Sequence, residues 1–324
     1  ISHIDSTTFG EANSVAIRNG LAAIAIAAPT KTDPGLVVTF DTATRTQIRS
    51  YTVGALPDNV AFAPDGRILT ANEGEPLARA GQPLLEVPGS VSIINPTTHT
   101  VTTLGFGAYD AAPPAGLRIV TPGGVPSLDW EPEYIAVSPD GKTAFVTLQE
   151  ANGIAMIDLT TETLTGVKSL GLKDHSLAIN RLDTSDRDGA GNTQLAGNWR
   201  TAPVKGMYQP DAIAAYASGG KTFYVTANEG DSRNLADFVP GEFNEEIRVG
   251  NSAYVLDPLV FPNAAALKAN SQLGRLIVTT SGGDTDNDGN YEEIHVFGGR
   301  SFSILDENGN MVFDSGNDLE ERLF

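Results

Sequence analysis

Short apolar runs alternate with polar turn clusters along this chain, and one phrase keeps returning. PDNVAFAPDGRILTANEG occupies residues 57–74, PEYIAVSPDGKTAFVTLQE residues 132–150 and PDAIAAYASGGKTFYVTANEG residues 210–230. A degenerate first copy, NSVAIRNGLAAIAIAA, covers 13–28. Each reads as a β-hairpin: an apolar strand, a tight Asn-Gly, Asp-Gly or Gly-Gly turn, then a second apolar strand. Two more strands are predicted after it, as in GSVSIINPTTHTVTTLG at 89–105 and NGIAMIDLTTETLTGVKSLG at 152–171. The predicted unit is a four-stranded antiparallel meander, which matches one blade of a β-propeller.

Such units fit at about 11–54, 57–107, 132–171 and 210–280, with a partial one at 291–324. The expected fold is therefore all-β, one propeller domain of five to seven blades, because a ring must close to hide its edge strands. A β-sandwich is the competing architecture, and the repeated hairpin phrase argues against it. In NAAALKANSQLG at 263–274 the pattern switches to a helix, with Asn263 as N-cap and Gly274 as stop.

In a blade, the start of strand 1 and the end of strand 2 share one face. The loops expected there are long (75–88, 108–129, 172–208 and 231–250), whereas the opposite turns, such as APDGR and LTTET, are short. Long loops are where function concentrates. The pairs Asp58 and Glu73, Glu133 and Glu150, and Asp211 and Glu229 are thereby predicted to gather at the channel mouth. Like charges so close must be protonated, hydrogen-bonded or bridged by a cation. Two readings stand at this point: a shared divalent-cation site, or Asn-Glu-Gly phrases that merely cap their own hairpins.

Composition narrows the partners. Forty acidic against 21 basic residues give a net charge of −19, which argues against a nucleic-acid surface. No cysteine is present, so disulfides and thiolate metal sites are excluded. The longest apolar run, LAAIAIAAP at 21–29, is far short of a membrane span. No signal peptide is visible, and the chain opens on Ile1, as a processed or trimmed chain would.

Among the remaining acids, DTDNDGNYEE at 284–293 is the sharpest motif. Asp284, Asp286 and Asp288 alternate before Gly289, and Asn290 and Glu293 extend the ligand set, as in a loop that wraps oxygens around calcium. The twelfth position is His295 rather than Glu, so Glu293 or Glu292 has to close the loop. The alternative is a solvated acidic turn. Asp231 is a further metal-ligand candidate, together with Asp58 and Asp211. His175, inside the 172–208 loop, reads either as a general acid–base or metal ligand or as a packed residue holding its loop. Arg187 and Arg233 are candidate fork donors to an anionic substrate. No G-x-S-x-G, H-E-x-x-H or G-x-x-x-x-G-K motif occurs.

The phrases LPDNVAFAPDGRILTANEGEP, PEYIAVSPDGKTAFVTLQEANGIAMIDL, GLKDHS, DRDG, KGMYQPDAIAAY, TANEGDSR, FNEEIRVG and GDTDNDGNYEE resemble the bacterial choice-of-anchor I family over nearly the whole chain. The resemblance implies a β-propeller that is secreted, periplasmic or held at the cell surface. Members are typically longer at both ends, which implies a fragment of a larger, seven-bladed ring. They are often labelled alkaline-phosphatase-like, which implies metal-dependent hydrolysis of a small phosphorylated molecule. Carried onto this chain, that chemistry falls on Glu73, Glu150, Glu229, Asp231 and Asp211, with calcium or another divalent ion as cofactor. The other expectation is a non-catalytic propeller that binds an extracellular ligand and uses calcium only as a brace.

Overall fold

A computed structural model describes residues 8–195, 197–237 and 239–323. Three consecutive meanders follow the predicted order. The first is β1 (Glu11–Arg18), β2 (Leu21–Ala27), β3 (Pro34–Asp41) and β4 (Gln47–Ala55). The second is β5 (Pro57–Phe62), β6 (Ile68–Asn72), β7 (Ser90–Asn95) and β8 (Thr100–Gly105). The third is β9 (Pro132–Val137), β10 (Thr143–Leu148), β11 (Gly153–Asp158) and β12 (Thr163–Ser169). The turn between β1 and β2 shows why these hairpins form. Asn19 and Gly20 both have positive φ, 49° and 81°, the backbone of a two-residue turn whose twist matches the strands it joins.

The fourth sheet departs from the expected boundaries. Ala212–Ser218 and Lys221–Asn228 form its hairpin, but its third and fourth strands are Ser301–Leu305 and Met311–Asp314. Residues 210–280 are therefore not one blade, and 291–324 do not begin a fifth. Long-range pairing of Thr226 with Ser303 and of Asn228 with Ser301 closes the sheet across an insertion. The repeated Asn shows the equivalence of the second and fourth blades. Asn72 Nδ2 donates to the Ser90 and Ser92 hydroxyls at 3.2 and 3.0 Å. Asn228 Nδ2 donates to the Ser301 and Ser303 hydroxyls at 3.1 and 2.8 Å.

Blades stack through apolar faces, as a propeller requires. Ala25, Val53, Val60 and Ile68 join the first to the second, and Leu69, Ile93, Trp130 and Val146 join the second to the third. Phe145 stacks on Tyr224 between the third and fourth, with ring centroids 3.8 Å apart.

The long loops are more structured than expected. Leu172–Asp174, Lys205–Met207, His295–Val296, Ile277–Thr279 and Glu246–Arg248 form, in that order, a five-stranded sheet in which Lys205–Met207 runs parallel to His295–Val296. This inserted layer has its own core, including Val204, Tyr254, Phe261 and Val278. The helix expected over 263–274 is a single turn, Ala264–Leu267, with no side-chain bond from Asn263. Buried Lys173 ties the layer to the fourth blade, donating to the Gly299 and Gly316 carbonyls at 2.8 and 2.6 Å and pairing with Asp314 at 3.1 Å.

Candidate functional site

Where the strand ends converge beneath the inserted layer lies a cavity of about 450 Å³, lined by Glu73, Glu75, Glu131, Glu133, Glu150, Asp231, Ser232, Arg233, Asn234, Leu235 and Glu246. Seven of these are carboxylates and one is basic. Glu73 leaves the end of β6, Glu133 stands at the start of β9, and Glu150 follows β10. Repetition of one hairpin therefore delivers an acid to the same mouth from neighbouring blades. The glycine in each full Asn-Glu-Gly phrase has a reason of its own: a Cβ on Gly74 would lie 2.6 Å from the Gly89 nitrogen, and one on Gly230 only 2.0 Å from the Gly298 nitrogen.

A rigid ionic frame backs the cavity. Arg233, 5% exposed, donates from Nη1 to Asp129 Oδ1 at 2.5 Å and Thr121 Oγ1 at 3.0 Å. From Nη2 it donates to the Asp129 carbonyl at 3.0 Å and Glu131 Oε1 at 2.5 Å. Arg118 in turn donates to Glu245 Oε2 at 2.6 Å and to the Glu150 carbonyl at 2.8 Å. Fully buried Glu245 also accepts the Arg233 backbone N–H at 2.9 Å.

Of the other lining acids, Glu75 pairs with Lys31 at 2.7 Å and Glu246 accepts the Ser232 hydroxyl at 2.7 Å, whereas Glu73, Glu133 and Glu150 have no basic partner among the described residues. Burial, then the charges of Asp58, Glu131, Glu150 and Glu75, push the Glu73 carboxyl up to about 9. Burial and then Glu150 raise Glu133 far above the carboxylate range. Burial also raises Glu150, against the pull of Arg233. Glu150 is 6% exposed, and its Oε2 has no hydrogen-bond partner. The mouth therefore concentrates carboxyl groups that ionise reluctantly without a positive guest.

The other predicted site residues are distributed unevenly. Half-buried Asp58 is raised by burial and then by Asp211, so these two lie close together beside the same mouth, without lining the cavity. Asp231 lines it, with its carboxyl raised by burial. Glu229 does not: it is exposed, and Asp231, two residues on, takes the cavity position, as Glu75 does two residues after Glu73. Arg233 is no free fork donor, since both Nη atoms are engaged by the frame. Arg187 is exposed, pairs at 3.8 Å with its neighbour Asp186 and is absent from the lining. His175 is buried inside the inserted layer, with Nδ1 2.6 Å from the Asn180 carbonyl and its pKa depressed by burial to about 4. It is a packing residue of its loop rather than an acid–base group at the mouth.

In the peripheral loop, Asp284, Asp286, Asp288 and Glu292 bring one oxygen each within 4.8 Å of one another. Glu293 turns away, pairing with Lys205 at 2.5 Å and His295 at 2.8 Å, so it is Glu292 that lies with the three aspartates. The Asn290 backbone N–H donates to Asp288 Oδ1 at 2.8 Å, which shapes the turn. Among the described residues this loop is where acids meet at such range; no three cavity acids do. Glu131, Glu246 and Glu75 escape the sequence reading. The run Asp-Trp-Glu-Pro-Glu at 129–133 and the offset of two after each Asn-Glu are the signals that mark two of them.

A family model described as the choice-of-anchor I domain matches residues 1–324. No curated protein sequence matches the chain. Solved structures similar to it include hydrazine synthase of Kuenenia stuttgartiensis, at 14% identity and TM-score 0.37, covering 66% of this chain and 54% of that one. The Cps50 (Swd1) β-propeller domain of Myceliophteria thermophila matches at 7% identity and TM-score 0.38, covering 68% and 51%. A functionally unknown protein of Desulfotomaculum acetoxidans matches at 12% identity and TM-score 0.36, covering 94% and 71%. The chain spans about half the length of the first two. Among the described residues no helix is long and apolar enough to cross a membrane.

Proposed function

The chain belongs to the choice-of-anchor I family, and from that premise we propose that it serves outside the cytoplasm, secreted or at a cell surface, as a calcium-braced β-propeller that presents its acidic cavity to a ligand. The observation that carries this reading is the contrast between two acidic groups. Four oxygens of the Asp284–Asp286–Asp288–Glu292 loop are gathered at ligating range, which suits a hard cation taking six to eight oxygens. The cavity acids are spread around a volume of about 450 Å³, which suits a larger guest.

Millimolar calcium is expected to raise the melting temperature of the chelated protein by about 5 °C, the effect of roughly 2.7 kcal/mol at a hundredfold excess over Kd. Asp286→Asn combined with Asp288→Asn should abolish most of that shift. An undiminished shift in the double variant, followed by calorimetry, would remove calcium from the loop.

One observation favours a second reading, a metal-dependent phosphomonoesterase. Glu150 Oε2 is buried without a donor beside Glu73 and Glu133. A divalent ion there would draw an anionic substrate to a −19 protein and lower the pKa of a bound water. Assays of p-nitrophenyl phosphate separate the two. The binding reading expects no turnover with calcium or with chelator. Turnover lost on chelation, restored by calcium and abolished in Glu73→Gln/Glu150→Gln would establish the hydrolase.

A further inference from the structure

The cavity has the size of a small-molecule site, much more than one dehydrated ion fills. Its single basic lining residue, Arg233, is engaged by Asp129, Glu131 and Thr121. Glu73, Glu133, Glu150 and Asp231 therefore face the space with no basic side chain paired to them among the described residues. The second, independent feature is the Glu150 carboxylate itself: the residue is 6% exposed and its Oε2 meets no donor. A buried oxygen in that position is costly unless a guest supplies an N–H, an O–H or a positive charge.

Three features narrow the guest. No three cavity acids among the described residues lie close enough to share one ion, so the negative charge is spread rather than focused. No aromatic ring is among the described lining residues, so a quaternary ammonium head would find no π face. Carboxylates at separate positions are best met by several N–H-bearing cations, each making short charge-assisted hydrogen bonds. Leu235 and the glutamate methylenes supply the apolar stretches between them.

We propose that the cavity binds a linear polyamine, with primary or secondary ammonium groups separated by short methylene chains, one of them seated on Glu150 and another near Glu133 and Glu73. This deepens the reading of the long-loop face as a binding face and rests on it.

Calorimetric titration of the whole chain at low salt tests the proposal, with spermidine as the probe, choline as the quaternary control and calcium chloride as the competing cation. Spermidine should bind one to one, and choline at least tenfold more weakly. Glu150→Gln and Glu133→Gln should each weaken spermidine at least tenfold, whereas Glu307→Gln, on an exposed turn outside the lining, should not. Circular dichroism establishes that each variant is folded, and Glu73→Gln stands in for any that is not. Equal spermidine binding in Glu150→Gln and Glu307→Gln would reduce the effect to attraction by the acidic surface and overturn the proposal. A calcium ion lost with Glu150→Gln that spermidine does not displace would make the cavity a metal site; the polyamine then falls while the binding face stands. If neither ligand responds to the cavity variants, both fall.

Discussion

Arg233→Met should destabilise the folded chain by about 3–5 kcal/mol, the usual consequence of removing one partner from a buried ion pair. Methionine matches much of the side-chain volume but none of the charge. Asp129, 1% exposed, and Glu131, 6% exposed, would each lose a hydrogen bond of 2.5 Å. Asp129 would still accept the backbone N–H groups of Val120 and Thr121 at 2.7 and 2.8 Å, so the loop before β9 keeps its shape while carrying a buried, uncompensated charge. Glu131 accepts no such backbone N–H among the described residues and, buried, should take up a proton. Urea unfolding gives the test: the midpoint falls with little change in slope. Combining Arg233→Met with Asp129→Asn and Glu131→Gln should recover part of the loss, because the cost lies in the orphaned carboxylates rather than in the missing arginine. A single variant within about 0.5 kcal/mol of wild type would show that the frame does not hold the cavity wall.

That frame also marks the boundary of what the sequence reveals. The first three blades are legible because each hairpin is local: alternating apolar positions and an Asn-Gly or Asp-Gly turn specify strands a few residues apart. The fourth is not, because its strands 2 and 3 meet across about seventy residues, as in Asn228 with Ser301. A faint signal does exist. Ser-Val-Ser-Ile at 90–93 and Ser-Phe-Ser-Ile at 301–304 occupy the same place in two blades, each receiving the repeated Asn. The inserted layer offers less still, with strands of two or three residues such as His295–Val296 whose pairing partner Lys205 is ninety positions away. At the site, Glu73, Glu133 and Glu150 follow from their places in the repeat. Glu246 comes from the insertion and Glu229 is exposed, and no periodicity encodes either. His175 has the residue type of a catalytic group, but only packing decides that it is buried against Gly206.

Stability in the presence of chelator should fall as pH rises from about 5 to about 9, and cations should restore it most at the alkaline end. Glu73 is raised from 4.5 to about 9 by burial and by its acidic neighbours, and Glu133 and Glu150 are raised by burial as well. A carboxyl whose pKa is higher in the folded state binds its proton more tightly there than in the unfolded chain. Its favourable contribution is complete below the unfolded value near 4.5 and is lost as pH climbs through the folded value. Each such group steepens the decline by at most ~1.4 kcal/mol per pH unit. Together they should lower the melting temperature by on the order of 10 °C over this range. Glutamine cannot ionise, so Glu73→Gln and Glu133→Gln should flatten the slope and melt above wild type at pH 8. A polyamine or calcium ion bound in the cavity supplies the missing positive charge, so its stabilising effect should grow with pH over the same window. Differential scanning calorimetry at pH 5, 7 and 9 decides this, and a wild-type slope left unchanged in both variants would show that the mouth acids ionise freely and need no cationic guest.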